Sequence, residues 1–195
     1  DAQFISGGGS HAASLCADGT LNLWGRNSAG QLGVGDFVSK SSPTSVVIPG
    51  KVKSVVCGVN HTLFLMDDST VYSSGDNGNG QLGIGSNVHA KVPTKVAGFN
   101  DVIEVAGGGS FSLFLRSDST VWFAGKYGSF AENSIPVKIV SLSKVVHIAA
   151  GMAHALFLME NYPMKLFSTL SFLTFSMSLL AQSPMIVSYQ INLDS

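Results

Sequence analysis

Gly58 to Gly85 reads GVNHTLFLMDDSTVYSSGDNGNGQLGIG, and the recurrence of this stretch decides the fold. At an offset of 50 residues Gly8 falls on Gly58, His11 on His61, Leu15 on Leu65, Asp18 on Asp68, Thr20 on Thr70, Gly25 on Gly75 and Asn27 on Asn77. The run Gly30-Gln31-Leu32-Gly33 falls on Gly80-Gln81-Leu82-Gly83, Gly35 on Gly85, and Pro43-Thr44 on Pro93-Thr94. A third copy keeps Gly108, Leu115, Asp118, Thr120 and Gly125 but has Phe111 in the histidine place. A fourth begins at Gly151 with His154 and Leu158, only 43 residues further on, because the third copy lacks the Gly-Gln-Leu-Gly loop. A period near 50 residues is that of propellers or solenoids.

Within the second copy, Val52 to Val56, His61 to Met66 and Thr70 to Ser74 are short apolar or β-branched runs, and Thr94 to Val96 is a fourth. Runs of this length suit strands and are too short for ordinary helices. Asp67-Asp68-Ser69, like Asp18-Gly19 in the first copy, has the composition of a hairpin turn. Four short antiparallel strands per repeat make one propeller blade. The expected fold is therefore all-β, an incomplete β-propeller of about three four-stranded blades plus a partial fourth. Residues 1–160 form the repeat domain, with repeats at about 1–50, 51–100, 101–144 and a partial 145–160. The recurring glycines Gly8, Gly25, Gly33, Gly58, Gly75, Gly83, Gly108, Gly125 and Gly151 are read as structural, marking tight approach or positive φ.

Gly-x-x-His, then Asp-Gly, then Trp/Ser-Gly-x-Asn, then Gly-Gln-Leu-Gly-x-Gly resembles the repeat of the regulator of chromosome condensation family. Gly8, His11, Asp18, Gly19, Trp24, Gly25, Asn27, Gly30, Gln31, Leu32, Gly33 and Gly35 carry the likeness, and Gly58 to Gly85 carries it again. It covers roughly residues 4 to 160. The resemblance implies a seven-bladed propeller that presents loop faces to protein partners. For the founding member it implies nucleotide exchange on a Ran-type small GTPase. This chain departs from that pattern, having about three and a half repeats. No catalytic residue carries over.

Charged residues make up 12% of the chain and glycine 22 of 195 positions, in keeping with a turn-rich β protein. Net charge is −1 and no Lys/Arg run is present, so no direct nucleic-acid contact is expected. Cys16 and Cys57 read as buried, reduced thiols of an intracellular protein, cytoplasmic or nuclear. No Cys/His spacing suits a metal, and no cofactor is implied. Gly78-Asn79-Gly80-Gln81-Leu82-Gly83 satisfies the dinucleotide fingerprint formally, but no helix follows to meet a pyrophosphate. Asp67 and Asp68 are turn residues rather than a catalytic pair. Asn60-His61-Thr62 is a formal glycosylation acceptor, expected to be unused.

His11, His61 and His154 share one repeat position and are the partner-binding candidates. Two readings stand: a structural imidazole bonded to the neighbouring blade's backbone, or an arc of imidazoles facing a partner. Gln31 and Gln81 are expected to bridge blades through their side chains. Trp24 and Trp122 either pack between blades or stand exposed on a binding face.

Residues 161–195 read as an apolar tail, uncharged from Leu166 to Leu193. Residues 166–181 admit a helix covering an open blade edge, a membrane anchor, a disordered or non-coding tail, or a degenerate strand pair; sixteen residues fall short of the roughly 20 a spanning helix needs. Residue 1 is Asp and the first repeat is entered in mid-stride, so the chain is read as part of something longer. The functional expectation is a non-catalytic protein-binding scaffold, with a small GTPase as the candidate partner. An incomplete ring is a poor vehicle for exchange, so no enzyme is expected. The alternative is a half-propeller with a structural role only, attached to a membrane by its tail or self-associating through open blade edges.

Overall fold

The computed structural model describes residues 1–96, 98–128 and 132–160, and the backbone of 162–167. Every element in them is a β-strand, and each repeat is one antiparallel meander. The first blade is β1 (Ala2–Gly7), β2 (His11–Cys16), β3 (Leu21–Gly25) and β4 (Lys40–Ser45). The second is β5 (Val52–Cys57), β6 (His61–Met66), β7 (Val71–Gly75) and β8 (Ala90–Lys95). The third is β9 (Val102–Gly107), β10 (Phe111–Arg116), β11 (Val121–Gly125) and β12 (Asn133–Lys138). The fourth holds β13 (Val145–Ala150), β14 (Ala155–Met159) and β15 (Tyr162–Phe167). The incomplete propeller of four-stranded blades expected from the repeat is the fold. The helical and membrane readings of residues 166–181 fall, beyond residue 167, outside the described residues.

The fourth strand starts earlier than its composition suggested. β8 begins at Ala90 rather than Thr94, and its ladder to β7 pairs Gly75 with Ala90 before a bulge and Ser73 with Thr94 after it. Polar side chains hid it, because the outermost strand of a blade is half solvated. Each such strand carries a proline at its fourth position: Pro43, Pro93 and Pro136. Proline lacks an amide proton and belongs on sheet edges, where it blunts pairing with other chains.

The β2–β3, β6–β7 and β10–β11 hairpins turn on Gly19, Ser69 and Ser119, all at positive φ (86°, 63° and 62°). Asp18, Asp68 and Asp118 each accept the amide of the threonine two residues on, at 2.9–3.1 Å. An Asx turn explains why Asp recurs where the sequence pattern placed it.

Successive first strands β1, β5, β9 and β13 touch one another, so they lie innermost. Apolar side chains fill the spaces between blades. Ala13, Leu15, Leu23 and Leu32 meet Val52, Val55 and Phe64 between the first and second blades. Leu63, Leu65 and Val71 meet Val102, Val105 and Phe114 between the second and third. Leu113, Leu115 and Phe123 meet Val145, Ile148 and Phe157 between the third and fourth. Trp122 packs half-buried on this frame, 5.4 Å from the Phe99 ring, while Trp24 is half-buried on the first blade.

Candidate functional site

The repeat's polar residues meet in the seams between blades. His11 Nε2 lies 2.9 Å from Thr62 Oγ1, and Thr62 Oγ1 donates to the Gln31 carbonyl at 2.7 Å. One blade on, His61 Nε2 lies 2.9 Å from Ser112 Oγ, which donates to the Gln81 carbonyl at 2.6 Å. A hydroxyl has one proton, and here the carbonyl takes it. The hydroxyl must then accept from the imidazole, which fixes both histidines as Nε2–H tautomers. Their Nδ1 atoms are buried without a hydrogen-bond partner. Burial pushes both imidazoles down to about 4, so they are neutral at pH 7.

The glycine three residues before each ring is a packing requirement. A Cβ on Gly58 would stand 2.3 Å from His61 Cε1 and 2.9 Å from the Gly108 carbonyl. Gly8, Gly108 and Gly151 stand in the same relation to His11, Phe111 and His154.

The Gly-Gln-Leu-Gly loop straps each blade to the next. Asn27 organises the first strap: its Oδ1 accepts from Leu32 N at 2.9 Å and its Nδ2 donates to the Asp36 and Val38 carbonyls. Asn77 does the same for Leu82 N and the Ser86 and Val88 carbonyls. The strap then lies on the outermost strand of the following blade. Gly35 N donates to Lys91 O at 2.8 Å, and Gly85 N to Ser134 O at 2.7 Å. Gly33 and Gly83 abut Pro93 and Pro136, and a Cβ on Gly80 would come within 2.7 Å of Ser134 Cα. Gly25, Gly75 and Gly125 close the third strands at φ 103°, 111° and 99°.

Two expectations are corrected by this geometry. His11 and His61 are not displayed to a partner; they are 5% and 0% exposed, each bonds a side-chain hydroxyl of the next blade, and His11 also meets the His61 backbone there. Only His154 of the three is exposed, and among the described residues no hydroxyl stands across from it. Gln31 and Gln81 bridge blades through their main-chain carbonyls. Their side-chain Oε1 atoms turn back to Ala29 N and Asn79 N in the same loop. The sequence reading missed Thr62 and Ser112. The signal was present: the residue after the histidine slot is Thr62 or Ser112 where the preceding blade has His11 or His61, and Ala155 where it has Phe111.

The third seam replaces the whole arrangement. Phe111 stands for the histidine, Ala155 for the hydroxyl and Tyr127 for the strap asparagine. The Phe111 and Tyr127 rings are tilted at 4.6 Å, and the Tyr127 hydroxyl accepts the Ala155 amide. Burial raises the Tyr127 phenol. Among the described residues, Phe111, Leu113, Phe123, Tyr127, Leu142 and Phe157 line a cavity of about 60 Å³.

Among the described residues, no group of three or more His, Cys, Asp or Glu side chains could hold a metal.

Antiparallel blades of about 50 residues, strapped by Gly-Gln-Leu-Gly loops, define a β-propeller protein. The chain belongs to the regulator of chromosome condensation (RCC1) repeat family, whose repeat matches residues 18–65 and 68–115, with a second description of the repeat matching 52–81. Over 56 residues it is 46% identical to the ultraviolet-B receptor UVR8 of Arabidopsis thaliana, covering 28% of this chain and 13% of that one. Human WBSCR16 is similar in structure, with a TM-score of 0.75 and 27% identity over 86% of this chain and 47% of its own. Prp20p of Saccharomyces cerevisiae, studied for its binding to Gsp1p and histones, matches with a TM-score of 0.72 and 22% identity over 80% of this chain and 43% of its own. The chain thus spans about half the length of these solved structures.

Proposed function

We propose that this chain is a non-catalytic protein-binding scaffold. The observation that carries this reading is what the straps present. Asn27 and Asn77 tie down the carbonyls of Val38 and Val88, which hold equivalent places in the two loops. The valine side chains themselves are 63% and 72% exposed, and Phe37 beside the first is 49% exposed. Apolar groups on loops fixed by buried bonds lose little freedom on binding, which is what a rigid recognition surface needs. Asp18, Asp68 and Asp118 are engaged in turns, and His11 and His61 in seams. Prp20p, similar in fold, binds Gsp1p and histones, which supports a protein as the partner.

The test is cross-linking of the intact chain in cell extract, with partners identified by mass spectrometry, against a Val38→Asp/Val88→Asp variant. Capture of a defined partner by the parent and its loss in the variant is the expected result. Equal capture by both would move the binding surface elsewhere. Nucleotide release from a panel of small GTPases is expected to be unchanged by the chain alone.

Self-association through open blade faces is a second reading, supported by exposed Phe4 and Ile5 on β1. The seam chemistry disfavours a ring of two copies closed head to tail. It would set His154 opposite Ala12, the first-blade equivalent of Thr62, and leave the imidazole without a hydroxyl. Light scattering on the purified chain separates monomer from dimer.

A further inference from the structure

Three positions of the third blade depart together from their counterparts in the second. Phe99 stands where the second blade has Pro49, Arg116 where it has Met66, and Trp122 where it has Tyr72. Met66 is 2% exposed and packs in one cluster with Ile48 and Tyr72, so that corner is filled with hydrocarbon. In the third blade the same corner is a groove of about 260 Å³, with Phe99, Asn100, Arg116, Trp122, Ile135 and Pro136 in its walls. Asn100 and Ile135 are exposed, so the groove opens to solvent.

The walls are mostly apolar and carry one charged group. The Arg116 guanidinium carbon stands 5.8 Å from the centroid of the Phe99 ring and 5.7 Å from that of Trp122. Its Nη2 donates to Asp101 Oδ2 at 2.9 Å. Among the described residues Asp101 is its only acceptor, and Nε is buried without one. An arginine fork carries more N–H donors than one carboxylate oxygen uses. The two rings and Asp101 therefore fix the fork in place with donors to spare, and such a fork suits a carboxylate. Asp101 is 57% exposed, and an exposed pair of this kind is weak, so a second carboxylate can share the fork or displace it. Volume sets what accompanies that carboxylate. An apolar cavity of about 150 Å³ takes a benzene ring, so about 260 Å³ has room for an aliphatic side chain beside a carboxylate. A bare anion would leave the apolar walls in water.

We propose that this groove receives an acidic side chain and an adjoining aliphatic one from a segment of a protein partner, the carboxylate on Arg116 and the aliphatic group on Trp122, Ile135 and Pro136. The inference rests on the scaffold reading and names a second contact within it. Trp122 lies near the start of β11, whereas the straps leave the far ends of β3 and β7. The groove is therefore at the opposite end of the blades from Val38 and Val88.

The experiment is a nitrogen-15 NMR titration of the intact chain with the capped dipeptide acetyl-Leu-Glu-amide, read at the Trp122 Nε1–H and Arg116 Nε–H signals. Saturable shifts of both at millimolar concentrations are expected. Acetyl-Leu-Gln-amide, alike in shape but uncharged, should bind at least about fivefold more weakly. Acetyl-Ala-Glu-amide, with three fewer carbons to bury, should also bind at least about fivefold more weakly. Sodium acetate should not saturate the signals in the same range. Arg116→Met, checked for folding by circular dichroism, restores the residue of the second blade and should abolish the preference for Glu over Gln at the Trp122 signal. Arg116→Lys, which keeps the charge without the fork, should lose most of it. Equal binding of the Glu and Gln peptides, equal binding of the Leu and Ala peptides, shifts at neither signal, or a full preference for Glu in a folded Arg116 variant would each overturn the proposal. So would saturation by acetate, which would make this a site for small anions. Because the readout does not involve Val38 or Val88, its failure is visible separately from failure of the strap face.

Discussion

His61 stands 2.9 Å from Ser112 across the second seam, and the residues in the same relation one seam on are Phe111 and Ala155. The chain uses two matched pairs for one place, polar with polar and apolar with apolar. Mixed pairs should be worse than either. His61→Phe puts a larger ring against a hydroxyl that still bonds Gln81, and overpacking costs about 1–3 kcal/mol. Ser112→Ala leaves the His61 Nε2–H and the Gln81 carbonyl buried without the hydroxyl, at about 1–3 kcal/mol per group. The double variant recreates the pair of the third seam. It should be more stable than the sum of the singles by at least about 1 kcal/mol in denaturant unfolding. Additivity within about 0.5 kcal/mol would show that the two positions are not coupled.

Acid should weaken the fold in a window set by the same histidines. Burial lowers both from 6.5 to about 4. Between those values the unfolded chain binds more protons than the folded one, so stability is full above pH 6.5 and falls as pH drops toward 4. The loss is of the order of 3 kcal/mol per histidine at most. Unfolding midpoints measured from about pH 7.5 to about pH 4 should show this slope. Replacing both pairs (His11→Phe with Thr62→Ala, His61→Phe with Ser112→Ala) should flatten it. Below about pH 4 the turn carboxylates Asp18, Asp68 and Asp118 take over, since threonine amides and hydroxyls hold their pKa values low.

Cys57 is buried in the first seam, its Sγ 3.6 Å from the Ser6 carbonyl, and burial pushes its thiol up to about 11. Little thiolate forms at about pH 8, and the thiolate is the reacting form. Iodoacetamide should therefore label half-buried Cys16 well before Cys57 under native conditions, with both labelled in denaturant. Peptide mapping by mass spectrometry measures the order. Rapid native labelling of Cys57 would mean that the first seam opens readily.

The repeat made the blades legible because their inner strands combine a fixed period with short apolar or β-branched runs. The runs Val52 to Val56 and His61 to Met66 could be placed from composition alone, and they fall in β5 and β6. β8 and its relatives could not be bounded in the same way, since an outermost strand shows polar residues to water and keeps only its proline as a marker. The seam histidines were visible as a position but not as a function. Identity at one offset aligns each residue with its own counterparts, whereas His11 bonds Thr62, 51 residues away and in a different column of the repeat. Contacts between neighbouring repeats are diagonal in such an alignment. They emerge only when residue i of one copy is compared with residue i+1 of the next.

Asn77 offers the sharpest test of the strap. Its side chain is fully buried, accepting from Leu82 N at 3.0 Å and donating to Ser86 O at 2.6 Å and Val88 O at 3.0 Å. Asn77→Asp keeps the shape and the acceptor but sets carboxylate oxygens against two carbonyls. Leu82 N still donates to one carboxylate oxygen, but the other replaces the donor and faces two carbonyls; burying that charge is costly, and each lost bond adds about 1–3 kcal/mol. The strap should loosen before the blades do, because the apolar seams remain filled. Hydrogen exchange should speed at the amides of Leu82 and Gly85 while those of β6 stay protected. Acid should partly reverse the effect, since the variant's carboxyl, once protonated, regains one donor. Uniform loss of protection across β6 and the strap would instead show that loop and blade unfold as one unit.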